Sequence, residues 1–163
     1  MSRETFADVL RKFPQAVSVV TVGRGGVENA LTVSWASPVS FDPPQMMISV
    51  DKLHYSADFL RSTKNFCLNV LRDGQQRLAG QFARQTMAHE EKMAGVPTRE
   101  SETGAAILTE ALAYFDCEIA AVHETGDHLM VVGRVVDAGV LGEGDPLPMN
   151  SALRYQKAVP PAR

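Results

Sequence analysis

Apolar residues recur along this chain with two different periods, and the switches between them mark its elements. Phe6, Val9, Leu10 and Phe13 fall at the spacing of one helical face, with Ser2 as a cap before them and Pro14 after, which predicts a short amphipathic opening helix. Ala16 to Val22 and Val27 to Ser37 are rich in valine and threonine and read as two extended segments of a hairpin around Gly23-Arg24-Gly25-Gly26. Those glycines lead into a strand rather than a helix, so they are read as a turn and not as a phosphate cradle. Met46 to Val50 predicts a short strand, and Ser56 a helix cap, with Tyr55 and Leu60 as a hydrophobic staple and Phe59 and Leu60 on the buried face. In Asn65 to Leu71 the alternation places Phe66, Leu68 and Val70 on one side and Cys67, Asn69 and Leu71 on the other. Asp73 and Gln76 resemble a capping box for a helix carrying Leu78, Ala79, Phe82 and Ala83.

Residues 85–105 are polar and aperiodic, which predicts a long loop with at most one short helix, with the length of a functional cover. Leu112 to His123 and His128 to Ala138 then form two long strand patterns joined by Glu124-Thr125-Gly126-Asp127. The sum is a mainly β fold, an antiparallel sheet curled into a β-barrel with peripheral helices. It occupies one domain over 1–157, followed by a flexible tail over 158–163.

Composition narrows the partners more than the fold. With 163 residues, 45% hydrophobic and 21% charged, one core is the expectation. A net charge of -3 and a pI near 5.8, without a lysine and arginine run, argue against nucleic acid. No signal-peptide core and no apolar run near ~20 residues is found, so a soluble cytoplasmic protein with no membrane partner is expected. Cys67 and Cys117 each sit in an apolar strand pattern and read as buried thiols.

The segment with the most chemistry is Thr32-Val33-Ser34-Trp35-Ala36-Ser37-Pro38-Val39-Ser40-Phe41-Asp42-Pro43-Pro44. Alternating hydroxyls on an extended segment share one side, where Ser34, Ser37 and Ser40 and nearby backbone amides would receive an anion. The other reading is a strand with a polar outer face. The start of the helix at Ser56 adds free backbone donors, Asp58 works against an anion there, and Lys92, Arg61 or Arg84 would offset it. Trp35, Phe41, Tyr55 and the backbone around Asn69 offer walls for an aromatic ring. His123 and His128 flank a turn without a third ligand at metal spacing, so no metal site is expected. Asp116 and Glu118 are placed on one strand face, with Arg134 as a partner, and read as a solvated face.

Several of these groups resemble the flavin reductase-like family of the FMN-binding split barrel. Thr32 to Pro44 looks like its flavin-binding strand, Tyr55-Ser56 like the segment closing on the phosphate, and Asn65 to Leu71 like the strand beside the ring. Glu91-Lys92-Met93-Ala94-Gly95 looks like its basic turn, and Gly126-Asp127-His128 like the turn whose histidine lies near flavin and nicotinamide. Three positions depart from it: Ser34 stands where many members have asparagine, Met93 where an aromatic is common, and Pro148 to Tyr155 matches the usual ending only loosely. The first resembles the flavoredoxin-like branch.

The resemblance implies an NAD(P)H-dependent flavin reductase that binds FMN, or FAD, and passes hydride to it from NADH or NADPH, feeding a monooxygenase or another redox partner. It also implies a homodimer. The alternatives are an FMN-binding electron carrier and a non-catalytic flavin-binding dimer. The implied cofactor contacts are Thr32, Val33, Ser34, Trp35, Ala36, Ser37, Tyr55, Ser56, Asn69 and Lys92, with His128 as the catalytic candidate. Hydride transfer needs two rings held in contact more than an acid-base constellation, consistent with the absence of a nucleophile motif.

Overall fold

The computed structural model describes residues 1–23, 29–84 and 92–149. In chain order the elements are α1 (Arg3–Leu10), β1 (Ser18–Val22), β2 (Asn29–Val33), β3 (Ala36–Phe41), β4 (Pro44–Asp51), α2 (Ser56–Ser62), β5 (Asn65–Val70), α3 (Gln76–Phe82), β6 (Thr98–Glu100), β7 (Ala106–Leu108), β8 (Ala113–Thr125) and β9 (His128–Val140). Seven strands form one antiparallel sheet in the order β2-β1-β5-β8-β9-β4-β3, and β6 and β7 form a small second sheet. Most of the glycine loop expected after Val22, the segment 85–91 and the tail 158–163 lie outside the described residues.

The sheet order and the sequence together force a barrel. β2 and β3 are opposite edges, yet only Ser34 and Trp35 separate Val33 from Ala36. Three Cα steps span at most ~11 Å, whereas the edges of a flat seven-stranded sheet lie about 29 Å apart. The sheet must therefore roll until its edges nearly meet, and the Ser49 amide, donating to the Trp35 carbonyl (2.8 Å), extends the β3–β4 ladder up to the seam. The predicted curled antiparallel barrel is what forms. The expected single strand from Val27 to Ser37 does not, because the seam breaks it at Ser34-Trp35.

Inside lie Val20, Leu31, Val33, Ile48, Phe66, Leu68, Leu129 and Val131, with Ala57 and Leu60 of α2 packed among the same cluster. β1 is buried along its whole length, because Val19 faces away from that interior and packs with Ala79 and Phe82 of α3. The alternation predicted for β5 holds: Phe66 and Leu68 face the interior, Cys67 a cluster with Ile107 and Tyr114, and Leu71 the α3 side. Burial pushes the Cys67 thiol up, and burial with the Asp116 charge raises Cys117 to about 12, so both stay protonated.

Several local expectations change. Ser2 caps α1 by accepting the Thr5 amide, but α1 buries no residue, and Phe6, Val9 and Phe13 are exposed. Gln75 rather than Asp73 precedes α3, while Asp73 accepts the Gly74 amide, so no capping box forms. The described part of 85–105 contains β6, which folds back on β7 as a short hairpin. Asp116 is wholly buried, not solvated, with Thr103 donating to it from its amide (2.9 Å) and hydroxyl (2.6 Å). The β5–β8 register runs unbroken through Asp116 and Glu118, so the two acids do share one strand face; Asp116 is covered there by the segment carrying Thr103, whereas Glu118 is exposed and pairs with Arg134.

Two glycines test the packing in opposite directions. A Cβ at Gly133 would lie 2.7 Å from both Cys117 Cβ and the Phe66 ring, whereas one at Gly80 in α3 meets nothing within 4 Å. Gly133→Ala should destabilise by ~1–3 kcal/mol, and Gly80→Ala should stabilise by ~0.5–1 kcal/mol. Urea midpoints for the two variants should move to opposite sides of the wild type.

Candidate functional site

The seam places two groups of side chains close to the start of α2. The first is a polar group at the outer edge of β2, with the donors that an anion would need. Lys92 is 2% exposed, and its ammonium donates to the Ala30 carbonyl at 3.3 Å. No carboxylate among the described residues forms an ion pair with it, and burial lowers its pKa. Ser56 is fully buried and its hydroxyl has no partner among the described residues. His54 is linked to both groups: its Nδ1 accepts the Ser56 amide at 3.1 Å, and the Lys92 charge acts on its ring. Burial first, then the Lys92 charge, holds its pKa down to about 4, against the opposing pull of Asp51. A ring that accepts through Nδ1 carries its proton on Nε2, so His54 is a neutral donor.

This local structure follows from the chain after β4. The Asp51 carboxylate accepts the Leu53 amide (2.8 Å) and its carbonyl the His54 amide (2.9 Å), turning the backbone sharply into α2. Ser56 is the first residue of α2 rather than its cap, and Tyr55 at the cap position makes no side-chain cap bond. The expected staple does not pair Tyr55 with Leu60. Tyr55 tilts against Phe59 with ring centroids 5.2 Å apart and stays exposed, while Leu60 is buried in the interior.

The second group is aromatic. Trp35, in the seam, stacks on His128 with centroids 4.6 Å apart and an interplanar angle of 28°. Asp127 holds His128 Nδ1 at 2.6 Å. The Gly126-Asp127 turn between β8 and β9 is clamped by Lys52, whose amide donates to the Asp127 carbonyl (3.0 Å) and whose ammonium reaches the Gly126 carbonyl (2.9 Å) and Glu124 (3.2 Å). Arg61 adds ion pairs to Glu124 (3.2 Å) and Asp58 (3.0 Å), so the acid expected to oppose an anion is already paired.

The remaining expected contacts divide. The hydroxyls of 32–40 do not form one row, because the strand breaks at the seam. Thr32 donates to the Ala79 carbonyl of α3 (2.7 Å), and Ser37, exposed, donates to the Pro38 carbonyl (3.0 Å). Val33 points into the core, leaving only its backbone for a ligand, and Ser34 and Ala36 are half-buried at the seam. Phe41 is fully exposed at the β3–β4 tip and walls nothing within the chain. Asn69 is fully buried: its carbonyl accepts the Leu108 amide (2.8 Å) and its amide faces the carbonyls of Val19, Cys67 and Ala106. Its side chain therefore ties β5 to β7, and no ring can reach it. Sequence reasoning missed His54 and Asp127. The signal for His54 was its place two residues before Ser56 in a turn opened by an aspartate.

A flavin fits these residues. Its phosphate matches a buried ammonium, an orphaned hydroxyl and a neutral imidazole donor, and its ring matches the half-buried seam beside Trp35 and His128. Among the described residues no group of three His, Cys, Asp or Glu is placed to hold a metal ion, and no helix is long and apolar enough to cross a membrane.

Comparison with known proteins agrees with this chemistry. Residues 10–158 match the model of the flavin reductase like domain. The reductase subunit HsaB of a flavin-dependent monooxygenase from Mycobacterium tuberculosis is 30% identical over 145 residues, covering 89% of this chain and 76% of that protein. Diflavin flavoprotein A 1 of Synechocystis is 34% identical over 123 residues, which are 75% of this chain but 22% of the longer protein. The chain thus spans about a fifth of that relative. Among solved structures, the NADH:FAD oxidoreductase SgcE6 of Streptomyces globisporus superposes with a TM-score of 0.85 at 28% identity, over 97% of this chain and 94% of that one. The same enzyme with NAD and FAD fragments gives 0.78 at 31%, over 85% and 82%. With a rolled antiparallel barrel, an anion pocket and a ring-stacking seam in place, the chain belongs to the flavin reductase-like family, whose members share the split-barrel fold.

Proposed function

We propose that the protein is an NAD(P)H-dependent flavin reductase that binds FMN by its phosphate in the Lys92–His54–Ser56 pocket and lays the ring along the Ser34–Ser37 seam. The observation that carries this reading is the buried Lys92 ammonium, which has no carboxylate partner among the described residues, together with the buried Ser56 hydroxyl, which has no partner among them either. Leaving such groups uncompensated costs several kcal/mol in general, and a phosphate dianion would satisfy both. The bound flavin supplies the hydride acceptor chemistry. The chain supplies placement: Lys92, His54 and Ser56 fix one end of the ligand, the outward backbone of β2 and the seam fix its ring edge, and α2 keeps water from the pocket floor. His128, partly exposed, stands where a second ring would approach. FAD carries a phosphate in the same position relative to its ring and would use the same pocket.

The named relatives support two further parts of the proposal. HsaB is a reductase subunit of a monooxygenase, which supports a role here in supplying reduced flavin to a separate oxygenase in the cytoplasm. Similarity to one region of a diflavin flavoprotein supports the second reading, a flavin-holding electron carrier. We also propose a homodimer. β3 is an edge strand with no buried residue, and Val39 and the wholly exposed Phe41 give it an apolar outer side that a second copy would cover.

The purified protein supplied with FMN, FAD or riboflavin should oxidise NADH or NADPH at a rate that rises with flavin; failure with both nicotinamides sinks the reductase reading. An electron carrier would instead purify yellow, react slowly with nicotinamides and exchange electrons quickly with a redox protein. Ser56→Ala and Lys92→Met should each weaken FMN at least ~5-fold, the scale of one hydrogen bond to a charged group, and riboflavin less than twofold. Equal losses for both flavins in equilibrium titrations would move the phosphate elsewhere. In sedimentation, the wild type should run as a dimer and Phe41→Asp should shift it toward monomer; a wild-type monomer would refute the dimer.

A further inference from the structure

His128 is held from two directions at once. The Trp35 ring covers one face of the imidazole at 4.6 Å, and the Asp127 carboxylate holds Nδ1 at 2.6 Å in the ring plane. Stacking fixes the plane, and the hydrogen bond fixes rotation within it. The bond also fixes the tautomer: Asp127 is kept ionised chiefly by its bond to His128, with Arg3 at 3.9 Å assisting, so it only accepts and Nδ1 must carry the proton. In the neutral ring Nε2 then keeps its lone pair, and it makes no protein hydrogen bond among the described residues.

Both anchors rest on β4. The Trp35 carbonyl accepts the Ser49 amide (2.8 Å), and His128 stands opposite Asp51 in the β4–β9 register. Ser49 and Asp51 are two residues apart and so on one face of that strand. The turn carrying Asp127 is in turn clamped by Lys52, the next residue.

We propose that Trp35 and Asp127 are positioning residues for His128, setting its plane and its protonated nitrogen so that the Nε2 lone pair is presented to a hydrogen-bond donor on the nicotinamide. An unanchored imidazole favours the opposite tautomer and rotates freely, so presenting Nε2 as an acceptor requires both constraints. The nicotinamide carboxamide offers N–H donors of the right kind. Only the identity of that ligand rests on the reductase reading; the orientation of His128 does not.

The experiment has a part without ligand and a part with it. Trp35 is the chain's single tryptophan, so its emission reports the stack directly. His128→Ala should change that emission markedly in the flavin-free protein, and unchanged emission would overturn the stack. Nitrogen NMR of His128 should show a protonated Nδ1 in the wild type and a shift toward protonated Nε2 in Asp127→Asn; identical spectra would overturn the role of Asp127. In kinetics at saturating flavin, Trp35→Leu should lower kcat/KM for the nicotinamide about tenfold in the wild type but less than twofold in the His128→Ala background. Additive losses in the two backgrounds would overturn its positioning role. A protein with the expected emission and NMR behaviour that oxidises neither nicotinamide would keep the orientation of His128 and overturn the reductase reading instead.

Discussion

Joining the two edges of a seven-stranded sheet by Ser34 and Trp35 is the constraint on which everything else in this molecule depends. Two residues are too few to cross a flat sheet, so the barrel closes or the chain cannot be drawn. Closure has a cost in hydrogen bonding, because β2 and β3 meet at the seam without becoming a continuous ladder. Backbone groups along β2 are thereby left facing outward, and one of them, the Ala30 carbonyl, receives Lys92. The same break leaves Trp35 outside the strand pattern, where its ring lies across His128. A fully closed barrel would have used those groups on itself and left nothing to bind a ligand.

The electrostatics of the pocket follow from where the helices are forced to sit. α2 enters the cluster of the barrel interior with Ala57 and Leu60, while α3 is fastened to the outside of β1 and β2 through Ala79, Phe82 and the Thr32 hydroxyl. Lys92, bound at the β2 edge, lies close enough to the His54–Ser56 turn for its charge to act on His54. Among these three residues the lysine carries the one charge, because His54 is kept neutral by burial and by the lysine itself. A second cation there would raise affinity for a dianion but would repel Lys92 in the empty protein. A neutral imidazole donor gives direction without that repulsion, and its proton state stays constant over the pH range in which ordinary histidines titrate.

What could be read from the sequence was what depends on periodicity. The alternation of Phe66, Leu68 and their neighbours, the long β8–β9 pair and the short helices all follow from residue type at fixed spacing. What could not be read depends on pairings distant in sequence. The break of Thr32 to Ser40 at the seam is set by where β3 lies in the sheet order, which no local pattern records. Asn69 is fully occupied by β1 and β7, whose approach is a property of the closed fold. Asp116 is taken out of solvent because the segment carrying Thr103 folds over its part of the strand face, a contact that strand periodicity does not record. The Lys92 pocket was legible only as residue types; its burial, which gives it chemical meaning, was not.

The ring end and the anion end of the site are not independent, because one stretch of chain carries both. Ser49 holds Trp35, Asp51 stands opposite His128, Lys52 clamps the β8–β9 turn, His54 accepts the Ser56 amide, and Ser56 opens α2. From Ser49 to Asp51 this stretch is fixed in the sheet. Beyond Asp51 it is fixed by two hydrogen bonds to that residue and by α2. The separation between the stacking seam and the proposed phosphate site is therefore set by a rigid segment rather than by a loop that could stretch. In the proposed binding mode, a ligand with a ring at one end and a phosphate at the other would meet both ends with the ordering cost of that segment already met during folding. Preorganisation of that kind is what hydride transfer asks of a protein that contributes placement rather than acid-base chemistry.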